Sequence, residues 1–188
     1  MTKPGAARHL FQRQDGIAAM EFALVFPVLV LILCGTLELG LMVMVDASLE
    51  MGVRAASRYG LSANVGNETG ATRSATIRSI INSYVQGWLG SDGTLVVSEK
   101  VYTSYANIGK PEPFTDLNGN GRWDPGEPFI DVNGNGQWDA DQGLSSSGGS
   151  GDIVVYQATV TRPGFTGILK LVGITTETYT RQMLIQNE

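Results

Sequence analysis

The sequence has few of the residues that cross-link small exported proteins or equip enzymes. Its one cysteine, Cys34, allows no disulfide within the chain. Its one histidine is His9, and neither a phosphate-binding glycine motif nor a nucleophile-and-base arrangement is readable. Charged residues are only 16% of the 188, and the net charge of −5 disfavours nucleic-acid binding, which needs a basic face. We therefore expect a protein that is not an enzyme and has no nucleic-acid partner.

The most prominent feature present is an apolar run from Ile17 to Val45. As a helix this run would be roughly 43 Å long at about 1.5 Å per residue, enough to cross a bilayer. Lys3, Arg8 and Arg13 precede it. By the positive-inside rule these basic residues place the N-terminus in the cytoplasm and everything after Val45 outside. The sequence thus predicts a single-pass anchor.

Two carboxylates, Glu21 and Glu38, interrupt the apolar run. A carboxylate within a bilayer is costly unless it is paired or reaches water. One interpretation therefore places Glu21 at the cytoplasmic interface and Glu38 near the outer one. A second interpretation starts from Gly16, because a glycine five residues before a glutamate at the start of an apolar helix is typical of processed pilins.

The run from Gly16 to Phe22, GIAAMEF, resembles a type IV prepilin cleavage site. In that family a membrane aspartyl protease cuts after the glycine, which here would free the α-amine of Ile17. The resemblance implies that Glu21 neutralises the amine of a neighbouring subunit in a helical bundle, which gives a buried carboxylate its partner. Residues 1–16 would be a cytoplasmic leader that is removed.

The longer stretch DGIAAMEFALVFPVLVLILCGTLELG resembles the TadE-like family of the tight-adherence pilus system. Glu38-Leu39-Gly40, the following segment Arg54–Tyr59 and the terminal segment Arg181–Glu188 also fit that pattern, and Glu38 is a second candidate assembly residue. The long acidic insertion described below has no place in it.

The TadE-like resemblance implies a minor pilin or pseudopilin in the bacterial inner membrane, with its C-terminal domain outside and at the cell surface after assembly. The implied partners are other pilin subunits, a prepilin peptidase, an inner-membrane assembly platform and, before assembly, membrane lipid. The alternatives are a pseudopilin of a secretion machine and an uncleaved, calcium-dependent adhesin. A secretory signal peptide is disfavoured by the length of the run, and a lipoprotein signal by Leu33 before Cys34.

Hydrophobic periodicity predicts an α+β protein. We expect a transmembrane and assembly helix over residues 17–60 and an extracytoplasmic domain over 61–188, with a calcium-binding insertion at 106–151. The first helix should continue through Tyr59, with the face Leu49, Val53 and Ala56 buried, and stop at Gly60. The later predicted elements are a helix at Thr72–Leu89 and antiparallel strands at Thr94–Tyr105, Asp152–Thr161 and Thr175–Ile185.

The insertion contains a direct repeat of period 15 in the D-x-N-x-N-G order of an EF-hand-type loop. Oxygen ligands at loop positions 1, 3, 5, 7, 9 and 12 wrap a hard cation, and glycine at position 6 permits the sharp turn. We therefore predict two calcium ions. The first loop offers Asp116, Asn118, Asn120, the carbonyl of Arg122, Asp124 and Glu127, and the second offers Asp131, Asn133, Asn135, the carbonyl of Gln137, Asp139 and Gln142.

The two loops differ at position 12, where the first has Glu127 and the second has Gln142. We therefore expect weaker binding in the second loop, unless Asp141 compensates. Only Pro128, Phe129 and Ile130 separate the loops, which is too short for the flanking helices of an EF-hand pair. The competing interpretation is a flexible Gly/Asn/Asp-rich linker, which two in-register copies disfavour.

Overall fold

A computed structural model describes residues 15–62, 70–146, 148 and 151–186. In chain order the helices and strands are α1 Asp15–Ser62, α2 Gly70–Leu89, β1 Thr94–Tyr102, β2 Ile153–Arg162 and β3 Glu177–Gln186. Short 3-10 helices lie at Tyr105–Asn107 and Ile168–Val172. The sheet is antiparallel with the order β1-β2-β3. The α+β prediction is confirmed. Most of the predicted leader lies outside the described residues.

The chain divides into two compact units. The first contains the described residues within 1–43 and 164–175, and the second contains the described residues within 44–163 and 176–188. Helix α1 therefore contributes to both. The predicted transmembrane and assembly helix, residues 17–60, is therefore shared between the units. Its part from Met44 onward belongs to the unit that contains the sheet.

The core of the second unit lies between the helices and one face of the sheet. Helix α1 buries Val45 and the predicted face Leu49, Val53 and Ala56, because these residues recur at helical spacing. The remaining buried core residues come from α2 (Ile77, Ile81, Val85) and from the strands (Val101, Val154, Tyr156, Ala158, Val160, Met183, Ile185). Tyr84, on α2 between these buried residues, is 41% exposed.

Gly60 lies inside α1 and does not end it. A Cβ at this position would meet Cδ1 of Ile185 at 2.1 Å, and Ile185 is itself buried in the core. The glycine is therefore explained by the close approach of the helix to β3 rather than by termination of the helix. The prediction that α1 stops at Gly60 is therefore wrong, although the helix ends only two residues later, at Ser62.

The end of the insertion between β1 and β2 is hydrogen-bonded to β1. Val101 and Leu144 exchange backbone hydrogen bonds of 2.8 and 3.1 Å. Asp141 accepts hydrogen bonds from Lys100 at 2.7 Å and from the Tyr102 hydroxyl at 2.8 Å. Burial, together with the hydrogen bond to Asp141, raises the pKa of Tyr102 to about 12. Asp141 is thus held on β1 rather than directed into the second loop.

Candidate functional site

Within the described residues, α1 is the one helix long and apolar enough to cross a membrane. Large apolar side chains are exposed along it from Ile17 to Met44, and none of its most apolar window is buried. An exposed apolar surface of this length marks contact with lipid or with other proteins. Gly16 lies in the first turn and Glu21 is exposed, so the residues of the predicted cleavage and assembly motif are accessible on the helix.

Glu38 differs from Glu21 because it already has partners within its own unit. Its side chain is 1% exposed. Its two carboxylate oxygens accept hydrogen bonds of 2.7 Å from the backbone N–H groups of Phe165 and Thr166, and the Thr166 hydroxyl also donates to it. Three donors offset much of the cost of removing a carboxylate from water. Glu38 therefore has an intramolecular role, and its role in assembly stays a prediction.

The first acidic loop is built around the carboxylate of Asp116. Its oxygens accept hydrogen bonds from the backbone N–H groups of Gly119 (2.7 Å), Asn120 (3.2 Å) and Gly121 (2.8 Å). These bonds, with that from Gly121 the largest influence, lower the pKa of Asp116. Gly121 has a φ of 75°, a left-handed conformation that explains the glycine at this position of the motif.

The amide side chains of the first loop converge on Asp124. The Nδ2 atoms of Asn118 and Asn120 each lie 2.7 Å from the same Asp124 oxygen, and Asn120 Oδ1 accepts from the backbone N–H of Arg122. The side chains predicted at positions 1, 3, 5 and 9 are therefore gathered in one loop. A cation there would require the two amides to turn their oxygens inward.

The second loop repeats this geometry. Asp131 accepts from the backbone of Gly134 (2.7 Å), Asn135 (3.2 Å) and Gly136 (2.8 Å). Asp139 accepts from the Asn133 amide at 2.7 Å and from the Asn135 amide at 2.6 Å, and Gln137 donates its N–H to Asn135. The two loops are thus equivalent in hydrogen bonding as well as in sequence.

Glu127 closes the first loop. Its carboxylate oxygens accept the backbone N–H groups of Leu117 at 2.8 Å and Asp124 at 2.9 Å, and its carbonyl accepts the Trp123 indole N–H at 3.1 Å. The side chain is buried. Glu127 therefore braces the backbone of the loop from loop position 2 to position 9.

The acid that closes the second loop is Glu112, which lies before the first loop in sequence. Its side chain is fully buried, and its carboxylate accepts the backbone N–H groups of Val132 (2.7 Å), Asn133 (3.3 Å) and Asp139 (3.1 Å). Its carbonyl accepts the Trp138 indole N–H at 3.0 Å. These contacts match those of Glu127, fifteen residues later in the chain.

Gln142, the residue predicted at position 12 of the second loop, does not occupy the place equivalent to Glu127. Its side-chain amide donates to the backbone carbonyl of Asn107 at 3.4 Å, and its backbone N–H donates to the backbone carbonyl of Lys110 at 2.9 Å. The sequence contains a signal for Glu112 that the motif analysis missed, because Glu112-Pro113-Phe114 is repeated as Glu127-Pro128-Phe129. The repeat therefore starts four residues earlier than the first acidic position.

The two repeats pair around an aromatic cluster. Thr115 N–H donates to the Pro128 carbonyl, and Ile130 N–H donates to the Pro113 carbonyl, both at 2.8 Å. The indole rings of Trp123 and Trp138 stack with centroids 5.1 Å apart and planes 11° apart. Phe129 meets Trp123 edge-on and Phe114 meets Trp138 edge-on. The paired loops are an ordered unit rather than a flexible linker.

The donor chemistry of the paired loops fits a hard cation, because all candidate ligand atoms are carboxylate, amide or carbonyl oxygens. Each loop has two acids near its centre, Asp116 with Asp124 and Asp131 with Asp139. Within the described residues, however, no group of three or more His, Cys, Asp or Glu side chains is placed to hold a metal ion. Calcium therefore stays a prediction from the sequence pattern and donor type.

Residues 16–58 match the family model described as TadE-like protein. The match covers α1 almost completely and less than a quarter of the chain, so it leaves α2, the sheet and the insertion unassigned. No curated protein and no solved structure matches the chain. The TadE-like match indicates a protein associated with a tight-adherence pilus, a system whose TadE-like components are structural.

Proposed function

We propose that this protein is a minor pilin or pseudopilin, a structural subunit of a tight-adherence pilus. Its helix α1 anchors it in the bacterial inner membrane as a single span, with the sheet-bearing unit outside. A prepilin peptidase cuts after Gly16, and an assembly platform then packs α1 against the helices of other subunits. The subunit is displayed at the surface through the filament.

The observation that carries this proposal is the TadE-like match over residues 16–58. It begins at Gly16 and contains Glu21, so the predicted cut and the predicted amine partner lie at its start. The exposed apolar surface of α1 supports the proposal, since a helix stored in lipid and later packed in a bundle needs such a surface. Glu21 is exposed, as a residue reserved for an intermolecular partner should be.

Mass spectrometry of the membrane and pilus fractions tests the cleavage. We expect a mature N-terminus at Ile17 in cells with an active prepilin peptidase and an intact Met1 without it. Glu21→Ala should leave membrane anchoring unchanged and abolish incorporation into filaments, because the amine of Ile17 loses its counter-charge. The matched control is Met20→Ala, which trims the neighbouring exposed side chain without removing a charge. Normal assembly of Glu21→Ala would refute the proposal.

We further propose that the paired loops bind two calcium ions that stabilise the insertion. Asp116, Asn118, Asn120 and Asp124 with the Arg122 carbonyl would hold the first ion, and the equivalent residues of the second loop would hold the other. Glu127 and Glu112 would keep the two loops closed. A chain without disulfides gains from such binding, because a ligand that binds only the folded state stabilises it by mass action.

Calcium titration of the full chain in detergent micelles tests this part. At tenfold to hundredfold excess over Kd, bound calcium should raise the free energy of unfolding by about 1.4–2.7 kcal/mol per site. A chelator should reverse the gain and change the fluorescence of the stacked Trp123 and Trp138. Asp116→Ala should abolish the response of the first loop, whereas Leu117→Ala, an exposed neighbour in the same loop, should not. Indifference of the unaltered chain to calcium would refute the metal proposal alone.

A further inference from the structure

The connection between β2 and β3, residues 164–175, is longer and more apolar than a hairpin needs. Antiparallel neighbours can be joined by two residues, whereas this apolar connection reads GFTGILKLVGIT and carries one charged residue, Lys170. Leu171 and Val172 are 74% and 72% exposed, and Phe165 and Ile174 are also exposed. Contiguous exposed apolar residues on a loop mark a contact surface.

The apolar connection is attached to the membrane helix at one point. Phe165 and Thr166 donate their backbone N–H groups, and Thr166 its hydroxyl, to the carboxylate of Glu38. Both segments belong to the same compact unit. The apolar connection is therefore fixed beside α1 at the level of Glu38, where the neighbouring side chains Leu37 and Leu39 are exposed and apolar.

The position of Glu38 along the helix sets the depth of this attachment. A hydrocarbon core of about 30 Å is covered by about 20 helical residues. Counted from Ile17, these residues end near Thr36, so Glu38 lies at the outer boundary of the core. Exposed apolar side chains continue beyond it to Val43 and Met44, so the helix surface at and beyond Glu38 suits the interfacial layer rather than water.

We propose that residues 165–174 insert into the outer interfacial layer of the membrane beside α1, so that the chain contacts the bilayer through two segments. This inference rests on the proposed anchoring by α1. Apolar segments in the interface bury their apolar side chains roughly 5–10 Å deep, and Lys170 can reach the anionic headgroups from there. Glu38 is a positioning residue, because its hydrogen bonds hold the apolar connection at this depth.

Lipid is the occupant favoured by three features. The exposed side chains of the apolar connection continue the exposed apolar surface of α1, and the segment has a basic residue and no acidic one. The attachment to Glu38 uses backbone N–H groups, which in hydrocarbon-rich surroundings must find partners within the chain. The rival occupant is the helix of a second subunit, which would cover the same surface only in the filament.

The test uses the full chain at one copy per lipid nanodisc of phosphatidylcholine and phosphatidylglycerol. A Cys34→Ser background carries a single new cysteine, Leu171→Cys, labelled with an environment-sensitive fluorophore. The matched control is Leu117→Cys, because Leu117 is a comparably exposed leucine (69%) in the acidic loop. We expect several-fold stronger quenching by spin-labelled lipid at position 171 than at 117, and the opposite order with aqueous iodide.

The other outcomes separate the two proposals. Equal access of iodide to both labels, in a chain that stays in the disc, overturns the membrane insertion and leaves the anchor intact. Shielding at position 171 that develops only when many chains share a disc also overturns it, because a second subunit is then the occupant. Loss of the chain from the disc refutes the anchor and with it the proposed function.

Glu38 has its own test in the same labelled chain. Glu38→Ala removes all three hydrogen bonds and should increase iodide access at position 171 several-fold, while Glu38→Gln should keep part of the shielding because its carbonyl still accepts. Circular dichroism confirms that α1 and the sheet persist in each variant. Unchanged access in a folded Glu38→Ala chain would show that Glu38 does not position the segment.

Discussion

Replacing Glu112 by glutamine is the most informative perturbation of the paired loops. In the structure its buried carboxylate accepts three backbone N–H groups from the second loop, those of Val132, Asn133 and Asp139. Glutamine has the same shape but only one accepting oxygen, and its amide nitrogen would face a donor. The substitution therefore removes the charge and leaves at least one backbone N–H buried without an acceptor.

The expected cost follows from these contacts. A hydrogen bond to a charged group contributes about 1.5–3 kcal/mol, and an unsatisfied buried donor costs about 1–3 kcal/mol. Because the remaining oxygen keeps part of the interaction, we expect closure of the second loop to lose about 2–4 kcal/mol. At about 1.4 kcal/mol per tenfold, this is a roughly 30- to 700-fold larger population of the open loop.

Amide hydrogen exchange of the full chain in micelles measures this population directly, because exchange reports local opening. The amides of Val132 and Asp139 should exchange faster in Glu112→Gln by the factor given above. Glu127→Gln is the matched variant and should have its effect in the first loop, at Leu117 and Asp124. Each variant serves as the control for the other loop.

Substitution of Gln142 tests whether Gln142, as the motif predicts, or Glu112, as the structure indicates, closes the second loop. The motif places Gln142 at the closing position of the second loop, whereas the structure gives its side chain one hydrogen bond of 3.4 Å, to Asn107. Gln142→Ala should therefore change the exchange of Val132 and Asp139 little. If Gln142→Ala accelerated it and Glu112→Gln did not, our assignment of the closing acid would be refuted.

Two further predictions concern the second unit. Gly60→Ala should destabilise the chain by about 1–3 kcal/mol in thermal unfolding, because the new methyl group would clash with the buried Ile185. Gly87→Ala, in α2 with nothing near its Cβ, should instead stabilise by about 0.5–1 kcal/mol; equal effects at both sites would contradict the packing. Arg181→Ala, which removes surface ion pairs to Asp46 (2.5 Å) and Glu50 (3.0 Å), should cost less than about 1 kcal/mol per pair and less still in high salt. A larger, salt-independent cost would contradict this interpretation.

Local patterns were sufficient to predict the helices and strands. The spacing of Leu49, Val53 and Ala56 identified the buried face of α1, and β-branched runs located all three strands to within a few residues. The acidic positions Asp116 and Asp131 were also readable, because each loop folds around a carboxylate that bonds backbone groups three to five residues ahead. Contacts over so few residues can be predicted from short windows of the sequence.

Longer-range partnerships were not readable in the same way. Glu112 closes a loop whose first acid lies nineteen residues ahead, so no twelve-residue window contains both. The partner of Glu38 lies more than 120 residues away and consists mainly of backbone N–H groups, which any residue except proline supplies. Position along α1 could indicate that Glu38 needed a partner, but not which segment would provide it.

The exchange of closing acids between the repeats makes each repeat depend on the other. Glu127 serves the loop before it, and Glu112 reaches past that loop to serve the one after. Together the two loops use both glutamates, and the antiparallel contact between the two Pro-Phe segments uses the matching backbone groups of both copies. A solitary copy would lack both the glutamate that closes its loop and the second strand of that contact. The insertion is therefore a pair of interdependent repeats within one chain, the smallest unit in which each loop has its closing glutamate.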